Sequence, residues 1–305
     1  MEYKEIKKGS QDYPVISCII YTYNRADVLP RAIQSVLNQT YTNFELIIVD
    51  DCSTETYAIP EDSRIIYHKN ERNLGSSANK NVGIKMARGR FIIILDDTKA
   101  FEPTLFQEAL DLLDGSLPQV GGVRVGRKII QPGYVDYAPP ITHTGFDSID
   151  WGFMMKREVF ENCWYDEQCS GDEDADFGIQ FAKHWKTLPI DKPLTVAYAT
   201  YANSNSAPTP RRLKGLEYFI IKNLDWYKRD KNELRYLYRL AGRNFYKAGY
   251  RLKGIKYFWL SFWAKKNIPT FLHFFFILFG WKVYDWYMDW RERSAASIRI
   301  KEHGL

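Results

Sequence analysis

Three short, almost unbroken aliphatic runs constrain this chain more than anything else in it: VISCIIY (15–21), ELIIV (45–49) and FIIIL (91–95). A strand reads this way when both of its faces are covered, which is the condition of a parallel sheet. Between the runs, Ala26–Asn38 spaces Val28, Leu29, Ile33, Val36 and Leu37 at helical intervals, and Ser76–Ala87 continues likewise. The expected strands are Val15–Tyr21, Glu45–Val49, Arg64–His68 and Phe91–Leu95, with the two helices as crossovers. The fold class is therefore α/β, a doubly wound, Rossmann-like and mostly parallel sheet flanked by helices. In such sheets ligands bind beyond the carboxyl ends of the strands, so Tyr21–Arg25, Asp50–Ser53 and Asp96–Thr98 are expected to converge.

From about Gly115 to Pro210 the pattern loosens into Gly, Pro and aromatic segments, with strands expected near Gly122–Val125 and Pro193–Tyr198. The stretch SNSAPTPRR (204–212) reads as a linker or loop, and helices are expected at Leu213–Lys228, Glu233–Ala248 and Gly254–Lys265. No internal repeat has a solenoid period. The natural division is 1–210 against 211–305.

Charge divides at the same place. The net +5 of the 305 residues hides +13 in residues 211–305, where 21 Lys and Arg face 8 Asp and Glu, and −8 in residues 1–210. The basic part also holds 24 of the 48 Phe, Trp and Tyr residues. A basic, aromatic surface suits an anionic membrane interface. Nucleic acid is the weaker partner, because no recognition helix, zinc or RNA-binding signature accompanies the charges. The apolar stretch Ile268–Val283 is too short to span: 16 residues reach roughly 24 Å against a hydrocarbon core of about 30 Å. An interfacial or shallowly inserted helix fits it better, the alternative being a helix packed on its neighbours.

The four cysteines, Cys18, Cys52, Cys163 and Cys169, form no CxxC pair, and the charged N-terminus lacks the apolar core of a signal peptide. Both features point to a reduced, cytoplasmic setting, with the basic part peripheral on the inner face of the membrane.

The residues at the strand ends suit a nucleotide diphosphate sugar. Such a ligand needs an aromatic or apolar clamp for the base, a carboxylate for its NH or ribose hydroxyls, and positive charge for the diphosphate. Tyr21, Tyr23, Asn24 and Arg25 follow the first strand, Asp50 and Asp51 the second, and Asp96 and Asp97 the run FIIIL. Asp-rich strand ends can also simply cap the next loop. Paired carboxylates repel unless a cation or donor offsets them, which is the reason to expect Mg²⁺ or Mn²⁺ at Asp96 and Asp97.

The segment from Val15 to Thr54, followed by NLGSSANKNVGIKMARGRFIIILDDT (73–98) and GDEDADF (171–177), resembles the inverting family 2 glycosyltransferases of the GT-A fold. Each motif is weak alone; their order and spacing over roughly the first 205 residues make the likeness specific. The resemblance implies a sugar transfer from a UDP-sugar to a hydroxyl of a glycan or lipid-linked acceptor, in cell-surface polysaccharide or glycoconjugate synthesis. It implies a nucleotide-sugar-binding half at 1–114 and an acceptor half at 115–210. It makes Asp51 the uracil-contacting carboxylate, places Lys80 near the diphosphate where the family has Arg, and picks Asp174 as general base with Glu173 as companion. Asp150 and Trp151 match the acceptor-side segment loosely.

Two positions depart from the family pattern. Thr98 stands where the metal-binding aspartate of the DxD motif belongs, and Tyr201 where a histidine is common. With Thr98 a poor ligand, the pattern implies either that Asp97 takes over coordination beside Asp96 or that the cation is loosely held. These departures are also the best support for a rival reading, a membrane-associated scaffold of the same fold that has lost catalysis. A nucleotidyltransferase, the rival enzyme, normally carries a Gly-rich loop with a basic signature after the first strand, and YTYNRAD is not one. His68, His143 and His184 are isolated and make no metal site.

Overall fold

A computed structural model describes residues 13–131, 133–140, 151–198 and 208–291. The chain divides into two compact units, Met1–Asn205 and Ser206–Leu305.

The first unit is built on a nine-stranded sheet of order β3-β2-β1-β4-β8-β6-β9-β5, with β7 paired to β6. Strands β1 (Ile16–Thr22), β2 (Phe44–Asp50), β3 (Ile65–Lys69) and β4 (Phe91–Asp96) run parallel. Helices α1 (Leu29–Leu37) and α2 (Ser76–Met86) make the crossovers from β1 to β2 and from β3 to β4. The expected elements of this half lie within about three residues of those observed. Both faces of the sheet are covered, which is why the strands read as continuous apolar runs. Ile16, Cys18 and Ile20 pack with α1 and with α3 (Leu105–Leu113) on one face. Ile19, Ile92 and Ile94 pack with Ile84 of α2 and with Phe177 and Phe181 of α4 (Glu173–His184) on the other.

Beyond β4 the sheet turns mixed. Strand β8 (Trp151–Lys156) runs antiparallel between β4 and β6 (Val120–Gln131), while β9 (Lys186–Tyr198) lies parallel to β6 and antiparallel to β5 (Lys99–Phe101). Strands β6 and β9 are several residues longer than their apolar cores suggest, because the polar end of β6 pairs with β7 (Tyr134–Ala138) as a hairpin and Lys186–Ile190 of β9 pair along Val120–Val125 of β6. The sheet is continuous across residue 114, so the two expected halves share one core.

Helix α2 sits unusually close to β1. A Cβ on Gly83 would lie 2.4 Å from Ile19 Cγ2, inside van der Waals contact, so only glycine permits this depth. Lys80, one turn earlier, is thereby carried into the interior with no exposed surface.

The second unit is helical: α5 (Pro210–Tyr227), α6 (Lys231–Lys247), α7 (Arg251–Ala264), α8 (Ile268–Leu278) and a further helix over 281–291. Threonine 209 caps α5, accepting from the Arg212 amide, and Asn267 and Thr270 form a capping box on α8. Gly242 and Gly254 let α6 and α7 cross closely: a Cβ on Gly254 would lie 2.7 Å from Tyr246 Cβ. The apolar stretch 268–283 is two helices, not one, because Gly280 at φ 107° ends the first and opens the second. Among the described residues no helix is long and apolar enough to cross a membrane. Helix α8 buries Thr270, His273 and Ile277 and exposes Ile268, Phe271, Phe275 and Leu278, so it is both packed and surface-facing.

Candidate active site

The parallel register sets the strand ends level, with Tyr21 opposite Asp96 and Thr22 opposite Asp50. Tyr21 and Thr22 reach across to the two carboxylates at the end of β4. The Tyr21 hydroxyl donates to Asp96 Oδ2 at 3.2 Å and the Thr22 hydroxyl to Asp97 Oδ2 at 2.7 Å. Lys99 Nζ lies 3.3 Å from Asp96 Oδ2, and the amide and hydroxyl of Thr98 both donate to Asp96 Oδ1.

These neighbours drive the two carboxyls apart. Burial pushes Asp96 up, but the Lys99 charge and the Thr98 and Lys99 hydrogen bonds outweigh it and hold the group at about 2. Asp97 is raised to about 7 by burial and then by the Asp96 charge, against the opposing pull of Thr22, Arg25 and Lys99. Adjacent carboxylates, one of them reluctant to ionise beside the other, are a donor set that a divalent cation would relieve. Thr98 turns its hydroxyl to Asp96 and adds no carboxylate.

Asp50 and Asp51 are both buried. Asp50 accepts from the Ser53 amide at 2.8 Å and the Tyr67 hydroxyl at 2.6 Å, and so serves as a loop cap. Asp51 accepts from the amides of Leu74 (2.7 Å) and Gly75 (2.8 Å) and from Asn70 Nδ2 (3.1 Å). It fixes the loop that enters α2. Asn24, at φ 50°, accepts from the Thr54 amide at 2.9 Å and ties the loops after β1 and β2 together. Tyr23 is half-exposed on that loop, and the Arg25 amide donates to the Tyr57 hydroxyl at 3.2 Å.

The acidic cluster of residues 172–176 opens α4, as a carboxylate-rich sequence at a positive helix end should. Its first turn meets the first turn of α2. Glu173 accepts from the Ser76 hydroxyl and, at 2.6 Å, from the Gly171 amide. Lys80 Nζ donates to Asp174 Oδ1 at 2.6 Å and sits between the rings of Tyr21, 5.0 Å away, and Tyr165, 4.7 Å away. Asp174, Lys80, Tyr21 and Asp96 are thus brought together although they span most of the unit. In this arrangement Lys80 is the ion-pair partner of Asp174.

Several members of the network carry no strong sequence signal. Tyr165 is fixed by Asn81, whose side chain donates to the Tyr165 carbonyl (2.8 Å) and accepts from its amide (3.2 Å), and it stacks on Phe177. Ser76, Thr22 and Lys99 are equally unremarkable alone; the level strand ends bring in Thr22 and Lys99, and the meeting of α2 with α4 brings in Ser76. Among the described residues, Asp166, Cys169 and Asp176 also place three ligand-type atoms within 4.8 Å of one another, but Asp176 Oδ2 already accepts from Gln180 at 2.7 Å. Asp150 and Tyr201 lie outside the described residues, as does the side chain of Trp151, the first residue of β8.

This fold and this set of strand-end carboxylates belong with the sugar-transferring α/β enzymes, and sequence comparison agrees. The chain belongs to glycosyl transferase family 2, whose sequence model matches residues 17–169. It is a glycosyltransferase. An uncharacterized glycosyltransferase of Methanocaldococcus jannaschii is 43% identical over 234 residues, covering 70% of this chain and 80% of the relative. WcaA of Escherichia coli K12, a glycosyl transferase named for colanic acid biosynthesis, is 26% identical over 257 residues, 75% of this chain and 89% of that one. Among solved structures, residues 1–349 of Staphylococcus aureus TarS in complex with UDP-GlcNAc superpose with a TM-score of 0.55 at 16% identity, covering 82% of this chain and 81% of that one. The likeness to TarS establishes a shared GT-A-type fold. Family membership favours the enzyme over the scaffold and nucleotidyltransferase readings.

Proposed function

We propose that the enzyme transfers a sugar, with inversion, from a UDP-sugar to a hydroxyl of a glycan or lipid-linked acceptor during cell-surface polysaccharide synthesis. The convergence of Asp174, Lys80, Tyr21 and Asp96 on one strand-end network carries this reading. The name of WcaA and the UDP-GlcNAc bound to TarS support the pathway and the donor class.

In this reading Asp174 takes the proton from the acceptor hydroxyl as its oxygen attacks the anomeric carbon, and one base acting in a single displacement inverts that centre. Glu173, pinned by Ser76 and Gly171, sets the start of α4 and so the position of the base. Lys80, fully buried between Tyr21 and Tyr165, holds the Asp174 carboxylate and would reach the donor diphosphate only by leaving that pair. Tyr21, Tyr23, Asn24 and Arg25 frame the nucleotide, with Asp51 presenting the loop of residues 70–75 to it. Asp96 and Asp97 would hold a divalent cation, which neutralises the departing diphosphate when bound. Trp151 and Asp150 belong to the acceptor side.

The basic helical unit is the membrane-surface element, on the inner face. Trp259, Trp263, Phe271, Phe275, Phe279, Trp286 and Trp290 are exposed, and Lys266 lies 3.8 Å over the Trp263 ring, the aromatic and cationic mixture that an anionic interface favours.

The test is release of UDP from a panel of UDP-sugars, with and without Mn²⁺, by wild type and Asp174→Asn. Turnover with at least one donor, lost in the variant while UDP still binds, is expected. Bound UDP with no turnover under any condition would refute the catalytic reading.

A further inference from the structure

Helix α8 carries a buried histidine that the strand-end chemistry does not use. His273 is only 1% exposed, and Arg239 Nη1 and Arg291 Nη1 approach its Nε2 at 3.1 and 3.0 Å. Arginine offers donors and no acceptor, so Nε2 must carry the lone pair and the ring must be neutral. The proton then sits on Nδ1 and is donated to the Tyr284 hydroxyl, 3.2 Å away. Burial, followed by the charges of Arg239, Arg291 and Arg235, agrees with this state by pushing the imidazole down to about 3.

One lone pair cannot serve two guanidiniums, and the two like charges meet at the same ring nitrogen. Arg235, one turn before Arg239 on α6, adds a third charge, and its buried Nε has no hydrogen-bond partner. Arg243, on the same helix, also faces Tyr284. Among the described residues none of these four arginines pairs with a carboxylate. Like charges gathered on a buried neutral group repel, and the ordinary remedy is an anion between them. Arg235, Arg239 and Arg291 are each only part-buried, which leaves an approach open.

We propose that Arg235, Arg239 and Arg291 form a phosphate-binding site, with His273 and Tyr284 as the neutral wall that spaces their guanidiniums. A phosphate group matches them better than a carboxylate, because its several oxygens can accept from more than one planar fork. Tyr287 packs 5.5 Å from the His273 ring, and Trp290, stacked on Tyr287, is exposed beside it. A phosphate at the head of a lipid or free in solution would present the same oxyanion. The inference deepens the membrane-surface reading and does not depend on the catalytic one.

The test uses the full chain with Arg239→Gln and, separately, Arg291→Gln, which lies outside α6 and leaves its packing untouched. Thermal shift with inorganic phosphate and sedimentation with phosphatidylglycerol or phosphatidylcholine vesicles are compared. Loss of one charge-assisted contact should weaken binding about tenfold. Loss in the phosphate arm identifies a soluble phosphate, and loss only with phosphatidylglycerol identifies a lipid headgroup. If both folded variants match wild type in both arms, or wild type responds in neither, the site does not exist. Phosphate response and vesicle binding both equal in wild type and variants, with wild type still sedimenting with vesicles, would leave the membrane reading standing while removing this one.

Discussion

Replacing Asp174 by Asn should do two separable things. Lys80 is fully buried whereas the Asp174 side chain is 21% exposed, so removing the carboxylate strands an ammonium that cannot reach water. Breaking such a pair costs about 3 kcal/mol, somewhat relieved if the new amide oxygen still accepts from Nζ. For a unit of this size that lowers the melting midpoint by roughly 6–12 °C. The reverse change, Lys80→Met, leaves a carboxylate that can still be hydrated, and should cost less. The double variant removes both charges and should return to within about 1 kcal/mol of wild type. Turnover behaves differently: loss of a general base costs roughly 10²–10⁴ in rate, and the double variant should not recover it. Chemical denaturation and UDP-release assays on the four proteins read the two effects independently. An Asp174→Asn protein as stable as wild type would disprove the buried pair, and one within a few-fold of wild-type turnover would disprove the base.

Gly83→Ala drives a methyl group to 2.4 Å from Ile19 Cγ2 and should destabilise by about 1–3 kcal/mol, with part of the loss recovered by Ile19→Val; urea denaturation decides it. Gly254→Ala should cost about as much in the helical unit, where the new Cβ meets Tyr246 and the Gly242 carbonyl, while UDP release stays unchanged. Because His273 is lowered from 6.5 to about 3, the folded helical unit binds fewer protons than the unfolded chain between those values. Its contribution is complete above about pH 6.5 and is lost as pH falls toward 3, at up to about 1.4 kcal/mol per pH unit. The stability difference between wild type and His273→Gln should shrink along that slope on acidification, and a pH-independent difference would contradict the buried neutral ring.

Strands β1, β2 and β4 and helix α1 are legible because each is covered on both faces or amphipathic, so local periodicity carries them, whereas β3 is a partly exposed edge strand and α2 buries polar residues such as Ser77, Asn79 and Asn81. Helix α3 carries the same apolar spacing at Leu105, Phe106, Ala109, Leu110 and Leu113, a signal as local as that of α1. Strand β8 is different in kind: it exists by pairing between β4 and β6, partners far away in the chain, and nothing in WGFMMK announces that. The strand-end carboxylates were visible as motifs. Their division of labour was not, since Asp50 looks like Asp51 until Ser53 and Tyr67 are seen to occupy it. Lys80 reads as a solvated helix residue, and only the close seating of α2 on β1 turns it inward. Pattern alone likewise treats 268–283 as a single apolar segment, whereas a positive φ at Gly280 folds it into two.

The joint between the first turns of α2 and α4 has a consequence for engineering. Glu173 and Asp174 are anchored to Ser76 and Lys80, residues nearly a hundred positions earlier, so the placement of the proposed catalytic carboxylates is a property of two helices butted end to end. Surface loops lying between those helices in the chain, outside β4, β6, β8 and Tyr165, can be exchanged for those of relatives, altering which substrate is welcomed, while the proposed base keeps its alignment.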